Sequence, residues 1–448
     1  MGNFAGLLRA SGYEVRGSDE NVYPPMSTKL ESWGIEIRQG YKPEHLEPLA
    51  DLNIVGNVIR RTNPEAQSII EQDLKYTSFP KALGELFLEK SHSVVVAGTH
   101  GKTTTSSLVA WLLTSAGKEP GMLIGGVPGN FDEGFRVGKG DYFVVEGDEY
   151  DTAYFDKVPK FVHYHPKSLF LTSLEFDHAD IYDSVETIEK EFDKVVALVP
   201  ENGHIYACAT APRVMSRVQD CAAQVITYTA REEVVADWAA RNIINHAEGS
   251  RFQLIHKDQN LGVVEYTMSG AHNVENAVAA IAFCRQQGLS IEEIKTGLTS
   301  FQGVQRRQTV RAEIDGIRII DDFAHHPTAV KETVAAIRER YSEGQLFAVF
   351  EPRSATSSRA YFQDDYAAAF GEADQVIIAS VGKQNIPDEE KLDTAQLAAD
   401  VKGRHIPQID EIVSILGNEA KSGDTLLFMS NGGFGGIYDK IEAALRAR

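Results

Sequence analysis

Short apolar runs alternate with amphipathic stretches along most of this chain, which is the rhythm of a parallel α/β protein. Residues 3–11 carry helical spacing, and Tyr13-Glu14-Val15-Arg16-Gly17 reads as a strand ending in Ser18-Asp19. A helix over 27–33, a strand over 35–38 and an apolar strand at Leu52-Asn53-Ile54-Val55 follow. The first helix has no strand before it. Parallel α/β units of this kind open with a strand and a glycine-rich turn, and Asp19 stands where an acidic residue ends the second strand. The pattern therefore predicts that a strand and most of a glycine loop precede residue 1, the alternative being a domain that begins on a helix.

From residue 91 the runs lengthen. Val94-Val95-Val96-Ala97, Tyr142-Phe143-Val144-Val145 and Leu169-Phe170-Leu171 read as buried parallel strands. Phe252–Ile255 and Val263–Thr267 read as a hairpin on the sheet edge. Ala271-His272-Asn273-Val274-Glu275-Asn276 opens a helix that stops at Gly288, and Ser290-Ile291-Glu292-Glu293 is a capping box. Past residue 306, Asp315-Gly316 marks a hairpin turn and Pro327 a helix start. Strands at Leu346–Phe350, Gln375–Ala379 and Thr425–Met429 alternate with helices, and the glycine loop Asn431–Gly436 precedes the last one.

One stretch carries recognisable chemistry. Gly98-Thr99-His100-Gly101-Lys102-Thr103-Thr104-Thr105 joins a buried strand to a helix start. Glycines let backbone N–H groups approach an anion, the helix N-terminus adds positive potential, Lys102 supplies a charge and Thr103 a hydroxyl suited to Mg²⁺. Val96 occupies the position where the general pattern has its first glycine. The reading is a nucleoside-triphosphate cradle, against an ordinary glycine turn. Glu146 and His178 end neighbouring apolar strands, at the carboxyl edge where parallel sheets bind ligands.

Bulk properties narrow the classes. The 448 residues allow about three domains. The 44 basic and 64 acidic side chains leave a net charge of −20, which disfavours nucleic acid as a partner. No apolar run reaches the ~20 residues of a membrane-crossing helix, so no membrane partner is expected, and the start has no signal-peptide pattern. Cys208, Cys221 and Cys284 form no C-x-x-C pair and read as reduced thiols of a cytoplasmic protein.

Taken in order, Lys102-Thr103, Glu146, Asp177-His178, Asn273 and Asn276, Arg306-Arg307 and Asp321-Asp322 resemble the Mur ligase family, the ATP-dependent amide-forming enzymes of peptidoglycan assembly. The stretches Gly98–Thr105, Val145–Thr152, Leu174–Asp180, Asp322–Thr328, Phe350–Ser354 and Ser430–Gly436 carry the resemblance, which runs the length of the chain. The glycine loop expected ahead of Gly2 is the departure. The resemblance implies three α/β domains: a Rossmann-like UDP-sugar-binding domain over 1–90, a central ATP-binding domain with a P-loop ATPase-type parallel sheet over 91–305, and a Rossmann-like ligase domain over 306–448.

The resemblance also implies a reaction. ATP phosphorylates the lactyl carboxylate of UDP-N-acetylmuramate, and a peptide amine displaces phosphate from the acyl phosphate. Bringing a carboxylate to a triphosphate costs ~4 kcal/mol per unit-charge contact near ~4 Å at a surface-like dielectric, so cations and fixed donors must offset it. By family likeness Gly98, Thr99, His100, Gly101, Lys102, Thr103 and Thr104 hold the phosphates, with Lys102, Glu146 and His178 as the catalytic set. Thr103, Glu146 and His178 ligate Mg²⁺. Judged by its surroundings alone, His178 is a packed histidine in an acidic loop; only the likeness makes it a ligand. Asn273 and Asn276 face adenine, with a helix N-cap as the other reading of Asn273. Arg307 is assigned to the ATP phosphates and Asp322 to the ribose. Arg306 is a candidate surface charge, and Asp148, Glu149 and Asp151 are as readily loop caps or solvated charges.

Ser18 and Asp19 are candidates for the UDP group. Arg353 is a candidate grip for a peptide carboxylate, against a surface ion pair. Asn431 and Gly432 belong to a loop suited to cradle the peptide, and His325 and His326 either orient the amine or cap a helix. Asp193 stands where related ligases carry a carbamylated lysine, so no carbamate is expected. Phe350–Ser354 and Ser430–Gly436 resemble the branch that accepts the tripeptide L-alanyl-γ-D-glutamyl-meso-diaminopimelate. The rivals are the branch that adds L-alanine and a non-catalytic ATP sensor. A monomer or weak homo-oligomer is expected.

Overall fold

The run from His92 to Ala97 is a strand in which Val94, Val95, Val96 and Ala97 are fully buried. A strand apolar on both faces needs cover on both, which a parallel sheet with crossover helices supplies. Val95 pairs in parallel with Leu169 on one side and Val145 on the other. The structure, a computed structural model, describes residues 1–382 and 386–448. It divides into two units: Met1–Glu175, Glu186–Tyr228 and Ala279–Gly297, and Phe176–Val185, Thr229–Val278 and Leu298–Arg448.

The first unit opens on the helix Gly2–Ala10. The strand after it is Arg16–Asp19, later than the Tyr13 start read from the sequence. The helix closes with Gly12 in the left-handed region at φ +94° and the Tyr13 N–H on the Leu8 carbonyl, which uses up the residues between. Arg16–Asp19 pairs in parallel with Glu36–Gln39, and Asn53–Val55 with Tyr76–Ser78. The sheet around His92–Ala97 runs in the order Gln224–Thr229, His204–Cys208, Ser168–Leu171, His92–Ala97, Tyr142–Gly147, Gly121–Leu123 and Phe135–Arg136, only the last antiparallel. The helix Lys102–Ser115 lies on it with Leu108, Val109, Leu112 and Leu113 buried.

In the second unit, Trp238–His246, Gly249–His256 and Gln259–Tyr266 form an antiparallel meander, one strand more than the predicted hairpin. A six-stranded sheet runs in the order Thr309–Ile314, Ile317–Asp322, Thr425–Met429, Leu346–Phe350, Gln375–Ile378 and Arg404–His405. Its first strand is antiparallel, through the turn at Asp315-Gly316, and the rest are parallel. The capping box holds: the Glu293 N–H donates to Ser290 Oγ at 3.2 Å, and Glu293 Oε2 accepts the Ser290 N–H at 2.7 Å. The helix Pro327–Arg340 starts where proline predicts it. Among the described residues no helix is long and apolar enough to cross a membrane.

An ion-pair group in this unit has a pH signature. Glu332 lies 2.7 Å from Arg231 and 3.7 Å from His272. Burial works to raise its pKa, but His272 and Arg231 outweigh burial and hold it at about 2, against 4.5 for an ordinary glutamate. The folded chain therefore binds fewer protons than the unfolded one between those values. The stabilisation is complete above pH 4.5 and is lost as pH falls toward 2. Glu332→Gln should flatten the acid limb of a melting-temperature profile, with a loss on the order of 1–3 kcal/mol at neutral pH. An unchanged acid limb would count against this pairing.

Candidate active site

In the first unit the loop after Ala97 has a shape that side chains would block. Gly98 has φ +140°, and a Cβ there would lie 2.1 Å from Thr172 Oγ1. Gly101, at φ +80°, precedes a helix that no side chain caps among the described residues. The loop is tied down from behind: the His100 N–H donates to Ser173 Oγ at 2.8 Å, and Thr99 Oγ1 accepts the Glu175 N–H at 2.8 Å. His100 Nε2 lies 3.2 Å from Glu175 Oε2, and Thr104 is buried. The first turn of the helix therefore presents N–H groups and positive dipole with no side-chain cap on them, a fit for phosphate.

Lys102 Nζ lies 3.1 Å from both Glu149 oxygens. Burial works to lower its pKa, but Glu149 and Asp148 outweigh that and raise it above the ordinary lysine value, so the ammonium stays charged. Glu149 is 2% exposed, so it is not a solvated charge. Asp148 pairs with Lys160 at 2.6 Å; burial alone would raise its pKa, and Lys160 brings it below the usual carboxylate range. Thr103 Oγ1 donates to Glu146 Oε2 at 3.1 Å, and the Gly125 N–H donates to Glu146 Oε1 at 2.7 Å. A hydroxyl and a carboxylate oxygen side by side form a hard-oxygen pair of the kind Mg²⁺ takes. Ser18 Oγ donates to Glu65, and Asp19 accepts the Asn21 N–H at 3.0 Å.

The second unit holds the remaining predicted residues. Asn273 and Asn276 are buried in the first turns of the helix Ala271–Gln286. Asn273 Nδ2 donates to the Ser269 carbonyl at 2.8 Å, from a position inside the helix, which replaces the N-cap reading. Asp322 accepts N–H bonds from Gln308 and Ala324, each at 2.7 Å. Burial raises its pKa, with Arg307 opposing. The Arg307 guanidinium lies over the Phe323 ring, 4.7 Å from its centroid.

Arg306 is not a surface charge. It sits 3.3 Å from buried Asp321 and donates to the Ser430 and Gly432 carbonyls, both at 2.6 Å, so it clamps the glycine loop. Arg353 lies against that loop: a Cβ on Gly432 would be 2.2 Å from Arg353 Cδ. Its guanidinium is 3.8 Å from Glu351. Asn431 Oδ1 is buried with no hydrogen-bond partner among the described residues. His326 Nδ1 accepts the Thr328 N–H at 3.3 Å, so it caps the helix at Pro327, and its Nε2 faces the Phe176 carbonyl at 3.2 Å. His325 Nδ1 faces the Phe323 carbonyl at 3.0 Å, and its Nε2 lies 3.9 Å from Asp177. His178 has left-handed backbone at φ +55°.

Known proteins match along the whole chain. Residues 1–91 match the Mur ligase family catalytic domain, 96–284 the Mur ligase middle domain, and 305–432 the Mur ligase glutamate ligase domain. The UDP-N-acetylmuramate–L-alanyl-γ-D-glutamyl-meso-2,6-diaminoheptandioate ligase of Escherichia coli is 40% identical, over 98% of this chain and 95% of its own. The UDP-N-acetylmuramate–L-alanine ligase of Acetivibrio thermocellus is 31% identical, over 100% and 93%. The crystal structure of a murein peptide ligase from Psychrobacter arcticus superposes with a TM-score of 0.72 at 34% identity, over 99% of this chain and 96% of its own. This chain belongs to the Mur ligase family, ATP-dependent enzymes that form carbon–nitrogen bonds.

Proposed function

We propose that this chain joins UDP-N-acetylmuramate to the amine of L-alanyl-γ-D-glutamyl-meso-diaminopimelate, working as three domains over 1–90, 91–305 and 306–448. The observation that carries the tripeptide over free L-alanine is the 40% identity, along nearly the full length, to a ligase named for that peptide. Apposition of Arg353 and Gly432 supports it, because a half-exposed guanidinium against a glycine loop suits a carboxylate-bearing peptide.

Each role is the one the family likeness gives to a residue placed above. Lys102, the loop Gly98–Gly101 and Thr104 receive the ATP phosphates, Asn273 and Asn276 the adenine, Arg307 the phosphates and Asp322 the ribose. Thr103, Glu146 and His178 are the Mg²⁺ ligands, and the metal, when bound, screens the triphosphate from the incoming carboxylate. Ser18 and Asp19 serve the UDP group. His325, Arg353, Asn431 and Gly432 receive the peptide, whose amine N–H groups suit the Asn431 Oδ1 acceptor. The cytoplasm, with ATP and reduced thiols, is the compartment this chemistry fits.

The test offers L-alanine, the dipeptide and the tripeptide separately with UDP-N-acetylmuramate, ATP and Mg²⁺, and reads ADP release. Release that needs the tripeptide is expected. Turnover on L-alanine alone would move the chain to the alanine-adding branch, and tight ATP binding without turnover would leave a sensor. Arg353→Lys keeps the charge and loses the fork, so the KM for the tripeptide should rise about tenfold or more with KM for ATP unchanged. Equal effects on both KM values would remove Arg353 from the peptide site.

A further inference from the structure

His178 holds a left-handed backbone. For a residue with a Cβ this costs about 1–2 kcal/mol, and such a conformation persists only where its surroundings enforce it. Part of the enforcement is local, the His178 carbonyl accepting the Ile181 and Tyr182 N–H groups at 2.9 and 3.0 Å, and part comes from one distant hydroxyl. Thr356, 2% exposed, donates from Oγ1 to Asp177 Oδ1 at 2.6 Å and accepts the Ala179 N–H at 3.2 Å. The same Asp177 oxygen accepts the His178 N–H at 2.7 Å. The residues on either side of His178 are thus fastened to one side chain far along the sequence.

That side chain is itself held. The N–H groups of Arg353 and Ser354 donate to Ser357 Oγ at 3.0 and 2.9 Å, which folds residues 353–357 into a tight loop around Thr356. The Phe176 ring packs on Tyr361, with centroids 4.4 Å apart.

We propose that Thr356 is a positioning residue for the ligase reaction: its hydroxyl holds the residues on both sides of His178 and ties them to the loop that carries Arg353. The inference rests on the reading of His178 as a metal ligand. Its consequence is that metal affinity and peptide affinity share a determinant that touches neither ligand. Removing the hydroxyl should move both, and leave ATP binding at Lys102 as it was.

The test uses the full chain with Thr356→Val, which removes the hydroxyl at nearly constant volume, Thr356→Ala, which adds no bulk, and Thr356→Ser, which restores it. His178→Ala is the control. Mn²⁺ binding is followed by water-proton relaxation with a non-hydrolysable ATP analogue and UDP-N-acetylmuramate, beside the Mg²⁺ and tripeptide dependence of ADP release. Circular dichroism establishes that each variant folds. Valine and alanine should each weaken Mn²⁺ and raise the half-saturating Mg²⁺ about tenfold, the range found when the partners of metal ligands are removed. Both should raise the tripeptide KM, and serine should recover all three.

Unchanged Mn²⁺ affinity in valine and alanine, or no recovery in serine, overturns the positioning role. If valine alone fails to fold, alanine against serine decides. If His178→Ala itself leaves Mn²⁺ binding and rate intact, the metal-ligand reading has failed. If only His178→Ala weakens Mn²⁺, the fault lies with Thr356 alone.

Discussion

Lys102→Met should lower ADP release by about 10²–10³-fold, the usual cost of removing one fixed donor from developing transition-state charge. The argument rests on placement and charge. The ammonium sits at the head of a helix that no side chain caps, and two neighbouring carboxylates keep it protonated although it is largely buried. Methionine keeps the stem's length and apolar character and removes only the charge. Turnover should fall while far-ultraviolet circular dichroism still reports the native fold, with some loss of stability because the buried Glu149 is left without its lysine. Near-wild-type turnover in a folded Lys102→Met chain would contradict the phosphate assignment.

Glu149→Leu should be the more damaging change to stability, by about 3–5 kcal/mol, read from the shift of the urea unfolding midpoint. Glu149 is the main counter-charge to Lys102 and is almost wholly buried, so removing it leaves a largely buried ammonium with only the weaker help of Asp148 and Glu146. Replacing both partners removes the stranded charge together with the pair. The double variant Lys102→Met with Glu149→Leu should therefore recover much of what Glu149→Leu loses. Simple addition of the two single effects in the double variant would show that the pair is not coupled.

These two residues also show what could be read from the chain. The strand, glycine turn and helix start around Lys102 are legible because they lie within a few residues of one another. The strands around Val94, Leu169 and Leu426 were legible because parallel strands bury both faces and leave unbroken apolar runs. The capping box at Ser290 and the helix start at Pro327 are short-range rules and held.

Glu149 was not separable from Asp148 and Asp151, since three neighbouring carboxylates look alike until the fold decides which meets the lysine. Arg306 reads as a surface charge in sequence because its partners, Asp321 and the Ser430 and Gly432 carbonyls, come from two strand ends far apart in the chain. Thr356 carried no signal, its meaning lying in a contact 179 residues away. The strand Trp238–His246 was missed because its second half, with Asn242, Asn245 and His246, alternates weakly between exposed and half-buried positions. The Asn242 backbone is left-handed, with a register irregularity beside it, and that interrupts the two-residue period.

The order of the six-stranded sheet has a consequence for biosynthesis. Thr425–Met429 is the last of its strands to be made and lies between Ile317–Asp322 and Leu346–Phe350, at the middle of the sheet. Until it emerges, its two neighbours have no ladder to share and Ile319, Phe347 and Val349 have no Leu426 or Phe428 to pack on. A nascent chain stalled before residue 425 therefore carries two exposed apolar edges, the state in which chaperones or aggregation compete with folding.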